Sequence, residues 1–212
     1  MYSRCQRRAD CAVHSGGAHN SRVVQAELFA PAQSLPEGFT YAADFLTPAR
    51  ERELLEAIGK LEFREAQYKE WRARRRVVAF GGSYDFSRNR LAPAPPIPEF
   101  LHALRADAAA WAAVASARIE HAMIAEYRPD TPLGWHRDVP DFDEVIGISL
   151  LGHARMRFRP WPPRPNERSR WAIELEPRSI YVLRGAARWQ WQHAVAPTKE
   201  LRYSITFRTR SS

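Results

Sequence analysis

The chain has 212 residues, 45% of them hydrophobic, which is enough for one domain with a substantial core. No apolar run reaches the about 18 residues of a membrane span, and no apolar segment of a secretory signal is visible, so we expect a cytoplasmic protein that does not contact membranes. The formal net charge of +8 favours nucleic acid as a partner, although a basic protein without such a partner has the same balance.

Residues 1–24 are polar and lack any hydrophobic period, which predicts a mobile tail. The two cysteines of the chain, Cys5 and Cys11, lie in this tail, so a disulfide framework for the core is excluded. Together with His14 and His19 they form an alternative zinc site, but their spacing departs from that of ordinary zinc fingers.

A single domain is predicted over residues 25–212. Its first short strand is expected at Val23–Phe29, and a second at Phe39–Phe45 leads into a helix. Thr47 is the predicted N-cap of this helix, and Pro48 suits its first position. The apolar stripe of the helix consists of Leu54, Leu55, Ile58 and Leu61. We therefore interpret residues 25–117 as helical support and a substrate-recognition region.

A strongly basic segment follows this helix. From Lys60 to Arg90 there are nine Lys and Arg against four Asp and Glu, a balance that suits contacts to phosphates and equally suits a solvated face. After the Gly81-Gly82 turn, two aromatic residues share one side of an extended chain and could stack on an exposed base or pack in the core. The candidate substrate-binding residues of this region are Trp71, Arg74, Arg75, Arg76, Tyr84 and Phe86.

A second helix is predicted from about Glu99 to Ser116, where many alanines allow close packing on a sheet. From Arg118 onward the pattern changes to short strands separated by Pro and Gly. The predicted strands are Ile119–Tyr127, Val145–Leu151, Arg155–Phe158, Trp171–Leu175, Ser179–Leu183, Trp189–His193 and Arg202–Thr209. Many short strands without βαβ alternation predict a sandwich or jelly roll over residues 118–212. The Arg-rich loop Pro160–Arg170 is either a second phosphate-facing lip or an exposed loop without function.

His136 and Asp138 are the best candidates for metal ligands. They lie two residues apart, and residues i and i+2 of a strand point to the same face. His193 is the best candidate for a third ligand. Two imidazoles and one carboxylate leave the opposite positions of a metal open, which is the arrangement of non-haem Fe(II) oxygenases.

The last predicted strand carries a second pattern. Its residues Arg202, Ser204, Thr206 and Arg208 share one face, and its apolar residues share the other. Two arginines on one face of a buried strand need anionic partners.

These residues resemble the AlkB-like family of Fe(II)/2-oxoglutarate dioxygenases. The resemblance rests on His136-x-Asp138, on the distant His193 and on the frame Arg-Tyr-x-Ile-Thr-Phe-Arg of residues 202–208, and it extends from about Arg74 to Arg208. It implies an α+β fold with a mainly β core, namely a double-stranded β-helix (jelly roll) backed by N-terminal helices.

The resemblance also implies the cofactors Fe(II), 2-oxoglutarate and O2. The residues implied to bind iron and to carry catalysis are His136, Asp138 and His193, and those implied to bind 2-oxoglutarate are Tyr127, Arg202, Ser204 and Arg208. Repair members of the family often have an acid two residues after the ligand Asp, whereas this chain has Pro140. Trp135, beside His136, is a further candidate for substrate contact.

The expected function is oxidative demethylation of alkylated bases in DNA or RNA by a monomer. Alternatives within the same chemistry are a protein substrate, a small molecule, or hydroxylation of tRNA. Two other readings are a basic nucleic-acid-binding jelly roll without redox chemistry and a cupin-like isomerase, and the second would leave Arg202 and Arg208 without a dicarboxylate to bind.

Overall fold

The computed structural model describes residues 35–68, 71–85, 90–92, 94–166 and 168–211. Its description of side chains excludes residues 66–68, 71–73, 83–85 and 90–92. The predicted tail, the alternative zinc site, the predicted strand Val23–Phe29 and the candidate residue Phe86 lie outside the described residues.

Short strands dominate the described residues. They are β1 (Phe39–Ala42), β2 (Arg64–Tyr68), β3 (Trp71–Phe80), β4 (Ser83–Asp85), β5 (Arg90–Ala92), β6 (Ile119–Tyr127), β7 (Leu133–His136), β8 (Phe142–Leu150), β9 (Ala154–Pro160), β10 (Trp171–Leu175), β11 (Ile180–Leu183), β12 (Trp191–Val195) and β13 (Arg202–Arg210). The helices are α1 (Pro48–Ile58), α2 (His102–Trp111) and α3 (Gly185–Trp189), with short 3-10 turns at Glu99–Leu101 and Ser116–Arg118. The strand content agrees with the predicted β core.

The strands form two main antiparallel sheets. Seven strands make the larger sheet in the order β1-β11-β8-β13-β6-β3-β2, and four make the smaller one in the order β10-β9-β12-β7. Strands β4 and β5 form a separate hairpin. Residues from both main sheets line one cavity, so the sheets lie face to face as in a jelly roll.

Strand β13 shows how the sequence divides the core into two parts. Its residues Ile205 and Phe207 are fully buried among α1, α2 and the outer face of the larger sheet. The alternate residues Arg202 and Arg208 face the cavity between the sheets. The predicted alternation of this strand is therefore confirmed, since its apolar face packs on helices and its polar face lines a site.

Helix α1 begins where the sequence predicts it. The Thr47 hydroxyl accepts a hydrogen bond from the backbone N–H of Arg50 at 3.2 Å, and Pro48 is the first helical residue. Leu54 and Ile58 of its apolar stripe are buried, and Leu55 and Leu61 pack against the same cluster.

Helix α2 is shorter than predicted, because it ends at Trp111 rather than near Ser116. The backbone N–H of Val114 donates to Ala109 O, and that of Ala113 donates to Ala110 O. Ala113 has a φ of 52°, so the helix closes in a Schellman motif with alanine where glycine is usual. The alanine-rich sequence contains no glycine that would indicate this end.

Helix α3 replaces part of a predicted strand. The strand is predicted at Trp189–His193, but Trp189 is the last residue of α3 and the strand begins only at Trp191. None of the helices in the described part of the chain is both long and apolar enough to cross a membrane.

Candidate metal centre and its cavity

Three side chains with metal-binding chemistry converge between the two sheets. His136, the last residue of β7, lies directly opposite His193 of β12 in the register of the smaller sheet. Asp138 follows β7 by two residues, so the predicted i, i+2 relation places it beside His136 although the strand has already ended. A cross-strand pair and a short extension therefore bring together residues that are far apart in sequence.

The distances within this triad suit one small cation. One ligand atom from each of His136, Asp138 and His193 lies within 4.8 Å of the others. The Nε2 atom of His193 is 3.7 Å from Oδ2 of Asp138, and the two imidazole rings are 4.2 Å apart between centroids. The backbone carbonyl of Gly134 lies 2.9 Å from Nδ1 of His136, so an Nδ1–H donor there leaves Nε2 as the ligand atom.

The protonation states of the triad favour metal binding. Burial lowers the pKa of His136 and, with the neighbouring imidazole, lowers the pKa of His193 well below the usual value. Burial would raise the pKa of Asp138, but the Arg208 guanidinium and the two imidazoles hold it well below its usual range. Two neutral nitrogens and one carboxylate result, which is the state that a metal requires.

Arg208 fixes one oxygen of Asp138. Its Nε–H donates to Asp138 Oδ1 at 2.8 Å, and its Nη1 lies 3.2 Å from Nδ1 of His121. Burial and the Arg208 charge lower the pKa of His121 to about 3. Because arginine only donates, the His121 Nδ1 accepts and the ring is neutral with its proton on Nε2.

The second oxygen of Asp138 has no such partner. Asp138 Oδ2 is buried and makes no hydrogen bond, and an unpaired buried carboxylate oxygen is costly. A divalent cation beside His136 and His193 would satisfy it. The residues present therefore fit an Fe(II) ion, with positions left open on the cavity side.

Arg202 lies at the opposite end of the polar face of β13. It is 1% exposed, its Nε–H donates to the Ser149 hydroxyl at 2.9 Å, and its guanidinium lies 5.0 Å from the centroid of the Tyr127 ring. The Nη1 atom is buried without a hydrogen-bond partner. A buried cation with a free donor needs an anion in the cavity, and a carboxylate fits the guanidinium fork.

One cavity joins the triad to Arg202. Its lining residues are Arg75, Met123, Ala125, Tyr127, Leu133, His136, Asp138, Val145, Met156, Leu175, Tyr181, His193, Val195, Arg202, Ser204, Thr206 and Arg208. All residues predicted to bind iron or 2-oxoglutarate are in this set. The lining also contains apolar side chains, among them Leu133, Val145 and Met156, against which the carbon chain of a small dicarboxylate would pack.

Tyr181 is a cavity residue that the sequence analysis missed. Burial raises the pKa of its hydroxyl to about 12, so the group remains a proton donor. Gly147 lies opposite Tyr181 in the register, and any side chain there would overlap the ring. The glycine within the apolar strand β8 is the sequence feature that could have indicated this close approach.

The basic strand β3 divides its arginines between two faces. Arg76 lies opposite Glu126 and donates two hydrogen bonds to its carboxylate at 2.9 and 2.7 Å, whereas Arg75 lines the cavity. Arg74 is exposed. Among the other predicted substrate residues, Trp71 lies in β3 and Tyr84 in β4, and the structure does not describe these two side chains.

Trp135 is turned away from His136. The guanidinium groups of Arg157 and Arg159 lie 5.4 and 4.7 Å from the centroid of its ring, and it is absent from the cavity lining. The alternation of β7 explains this placement, because consecutive strand residues point to opposite faces.

A group of exposed aromatic and cationic residues includes Arg137, which lies between two triad residues in the sequence, and this group was not predicted. Arg137, between His136 and Asp138, has its guanidinium 4.7 Å from the centroid of the Trp161 ring and donates to Trp189 O at 2.9 Å. Trp161 and Trp189 are 42% and 37% exposed. We call Arg137, Trp161 and Trp189 the tryptophan rim. Trp161, in the Arg-rich loop Pro160–Arg170, was the feature of the sequence that could have indicated this group.

Buried Arg188 holds the loop that carries Asp138. Its Nη2 donates to Val139 O at 2.7 Å and to Phe142 O at 2.8 Å. The side chain is 2% exposed, so these contacts fix the backbone immediately after the ligand.

Comparisons with known proteins agree with this geometry. The family model of the 2OG-Fe(II) oxygenase superfamily matches residues 38–208. An uncharacterized protein, L905, of Acanthamoeba polyphaga mimivirus is 29% identical over 190 residues, which are 81% of this chain and 84% of that protein.

A second relative is the tRNA (carboxymethyluridine(34)-5-O)-methyltransferase alkbh8 of Xenopus tropicalis. It is 28% identical over 184 residues, 84% of this chain but only 28% of that protein. The solved structure of OsALKBH1 superposes with a TM-score of 0.65 at 16% identity, over 84% of this chain and 100% of that one, which confirms the predicted jelly-roll fold. The chain therefore belongs to the 2OG-Fe(II) oxygenase superfamily and is a dioxygenase that uses Fe(II), 2-oxoglutarate and O2, and its fold is AlkB-like.

Proposed function

We propose that this dioxygenase oxidises alkylated bases in nucleic acid, and that N-methyl groups are its targets. The observation that carries the proposal is the tryptophan rim, whose Arg137 stands between the ligand residues His136 and Asp138 in the chain. Exposed aromatic rings next to arginines are what unstacked bases bind. The formal net charge of +8 adds a favourable field for a polyanion.

Within this proposal, His136, Asp138 and His193 hold Fe(II). Arg202 binds the far carboxylate of 2-oxoglutarate, and the free Nη1 donor and the nearby Tyr127 and Ser204 support this assignment. Arg208 has a different role. It orients Asp138 by holding Oδ1, so that Oδ2 is presented to the metal.

When the cofactors are bound, O2 would oxidise 2-oxoglutarate to succinate and CO2. One oxygen atom of O2 enters succinate, and the other is inserted into a substrate C–H bond. An N-methyl group becomes an N-hydroxymethyl group, which breaks its C–N bond to release formaldehyde and returns the proton to nitrogen. The part of the protein is to position the methyl group. Tyr181 in the cavity lining stays protonated and adds no further charge.

The relative from Xenopus tropicalis is named for tRNA, which makes modified tRNA a substrate to include in the test. Its methyltransferase name refers to a protein of which this chain matches 28%, so no methyl transfer is proposed here.

Succinate and formaldehyde formation with single methylated oligonucleotides tests the proposal. We expect turnover with at least one member of a set of N-methylated DNA, N-methylated RNA and modified tRNA, and no stimulation by the unmodified sequences. His136→Ala should abolish it and lower iron affinity by at least about 100-fold, since losing a partner of a ligand already costs about 10–100-fold. Stimulation by peptides or metabolites, and by none of the nucleic acids, would contradict the proposed substrate class.

A further inference from the structure

We propose that Arg75 makes this site selective for uncharged target bases that present a carbonyl oxygen, and that the site rejects cationic methylated bases. The inference rests on the function proposed above and names the class of base within it. It assigns Arg75 as a specificity-determining residue.

The register of the larger sheet directs Arg75 into the cavity. Arg76 lies opposite Glu126 on the face of β3 that points away from the site, and the two side chains form a two-fold hydrogen-bonded ion pair. Adjacent strand residues point to opposite faces. Arg75 is therefore held on the face that it shares with His136 and Asp138 in the cavity lining.

The Arg75 guanidinium has donors to offer. Its Nε atom is buried and has no hydrogen-bond partner. Arginine donates and does not accept, so only an acceptor atom satisfies it. The contrast with Arg76 is direct, since the Nε–H and an Nη2–H of that neighbour both donate to Glu126. A carbonyl oxygen of a bound base is an acceptor of the required kind.

The charge of the cavity disfavours a cationic base. Its lining contains three arginines, Arg75, Arg202 and Arg208, and one acid, Asp138. Fe(II) and the 2-oxoglutarate dianion cancel each other when both are bound, so the excess positive charge remains. Within the described lining, Asp138 has Oδ1 held by Arg208 and Oδ2 beside His193, so no carboxylate is left for an amino group of a base.

The residues that follow Asp138 also provide no acceptor for an amino group of a base. Pro140 stands two residues after Asp138 and offers no side-chain acceptor. The nearby Asp143 is 3.5 Å from Arg118 at the surface and is absent from the cavity lining. The side chains around the cavity therefore donate hydrogen bonds to a base more readily than they accept them.

Two matched oligonucleotides test the inference. Single strands that contain one 3-methyluracil or one 3-methylcytosine carry the same methyl group on the same ring atom, but the first base is neutral with a carbonyl at position 4 and the second is cationic with an amino group there. We would measure kcat/KM for formaldehyde release. We would also measure the Kd by fluorescence anisotropy under anaerobic conditions, with Fe(II) and 2-oxoglutarate bound.

We expect the wild-type protein to prefer 3-methyluracil by about 10-fold or more in both measurements, as one hydrogen bond to a charged group provides. Arg75→Gln should bring the ratio toward one. Arg75→Lys, which keeps the charge without the planar fork, should keep the discrimination against 3-methylcytosine and lose part of the gain for 3-methyluracil. Arg52→Gln, at an exposed position of α1, is the charge-matched control and should leave the ratio unchanged.

The outcomes separate the two proposals. A preference for 3-methylcytosine, or a ratio that Arg75→Gln does not change, overturns the role of Arg75 and leaves the nucleic-acid substrate standing. Failure to bind or oxidise either base, together with failure on the wider set of nucleic acids, overturns the proposed function and this inference with it. Circular dichroism of each variant confirms that it is folded.

Discussion

The two ends of the cavity use the same residue type in opposite ways. Arg208, at the end near the triad, contacts Asp138 and His121 through two of its nitrogens. Arg202, at the other end of the same strand face, contacts Ser149 and leaves a buried nitrogen without a partner. Arg208 therefore finds partners within the protein, whereas the buried nitrogen of Arg202 gains a partner only when an anion binds.

This difference separates positioning from binding. We call a buried arginine saturated when its donors have partners within the protein, and such a cation stabilises its neighbours whether or not ligands are present. An unsaturated arginine has a buried donor without a partner, which costs free energy until a ligand accepts from it. Arg76 and Arg75 repeat the contrast on strand β3, since one is paired with Glu126 and the other faces the cavity with an unpaired Nε. Two independent pairs of arginines thus mark the same cavity as a place for acceptors.

The largest expected effect comes from removing Arg208, the saturated arginine near the triad. Arg208→Leu leaves the buried Asp138 carboxylate without its cation, and loss of one partner of a buried pair costs about 3–5 kcal/mol. Urea unfolding of the metal-free protein should show this loss of free energy of unfolding. Arg202→Leu should cost much less, because it also removes an unsatisfied donor. Equal losses in the two variants would contradict the proposed division of roles.

The unsaturated end is tested by ligand affinity. Arg202→Gln removes a charged fork, so we expect the Kd for 2-oxoglutarate to rise by about 10–100-fold, the equivalent of one or two hydrogen bonds to a charged group. Iron affinity should stay within about threefold of the wild type, because Arg202 is not among the triad residues. Calorimetric titration under anaerobic conditions measures both. An unchanged Kd for 2-oxoglutarate would remove Arg202 from the binding site.

The sequence sufficed for the parts of this site that depend on short-range periodicity. The two-residue period of β13 predicts that Arg202 and Arg208 share a face, and the i, i+2 spacing predicts that His136 and Asp138 converge. The first is a property of a single strand, and the second holds although β7 ends at His136. The pairing of His193 with these two ligands needed the family resemblance, because no local rule specifies which strands become neighbours.

What the sequence did not provide depends on contacts between distant segments. Nothing local distinguishes Arg75 from Arg76, and only the pairing of β3 with β6 directs one to Glu126 and the other to the cavity. Nothing local indicated a role for Arg188, which precedes the predicted strand, yet α3 buries it against the loop after Asp138. The end of α2 was missed for another reason, since Ala113 adopts a left-handed conformation that favours glycine.

A smaller effect should follow from weakening the ion pair between Arg76 of β3 and Glu126. Burial would raise the pKa of Glu126, but hydrogen bonds from Arg76 and Arg128 outweigh it and hold the pKa below its usual value. A lowered pKa contributes stability above the unfolded value of about 4.3, and this contribution is lost as the pH falls through the folded pKa.

Glu126→Gln should therefore lower the free energy of unfolding by about 1–2 kcal/mol at pH 7. The difference from the wild type should narrow as the pH falls below about 4.3. Urea unfolding at a series of pH values measures it. A difference that is constant from pH 7 to the acid limit would show that the Glu126 charge is not the cause. Selectivity between bases should also weaken in this variant, because Arg76 then holds β3 less firmly.

The smallest expected effect concerns the tryptophan rim, which is exposed and so contributes only through substrate. Base–aromatic stacking is worth about 1–3 kcal/mol, and Arg137 already covers part of Trp161, so we expect the lower end of this range. Trp161→Ala should raise the KM for an oligonucleotide by about fivefold, which corresponds to about 1 kcal/mol, without changing kcat. The KM for a methylated nucleoside should be unchanged, because a nucleoside has no flanking base.

Leu151→Ala, at a similarly exposed apolar residue (44% against 42%), is the matched control. An equal rise for nucleoside and oligonucleotide would mean that Trp161 acts on the cavity itself and that the rim does not bind flanking bases.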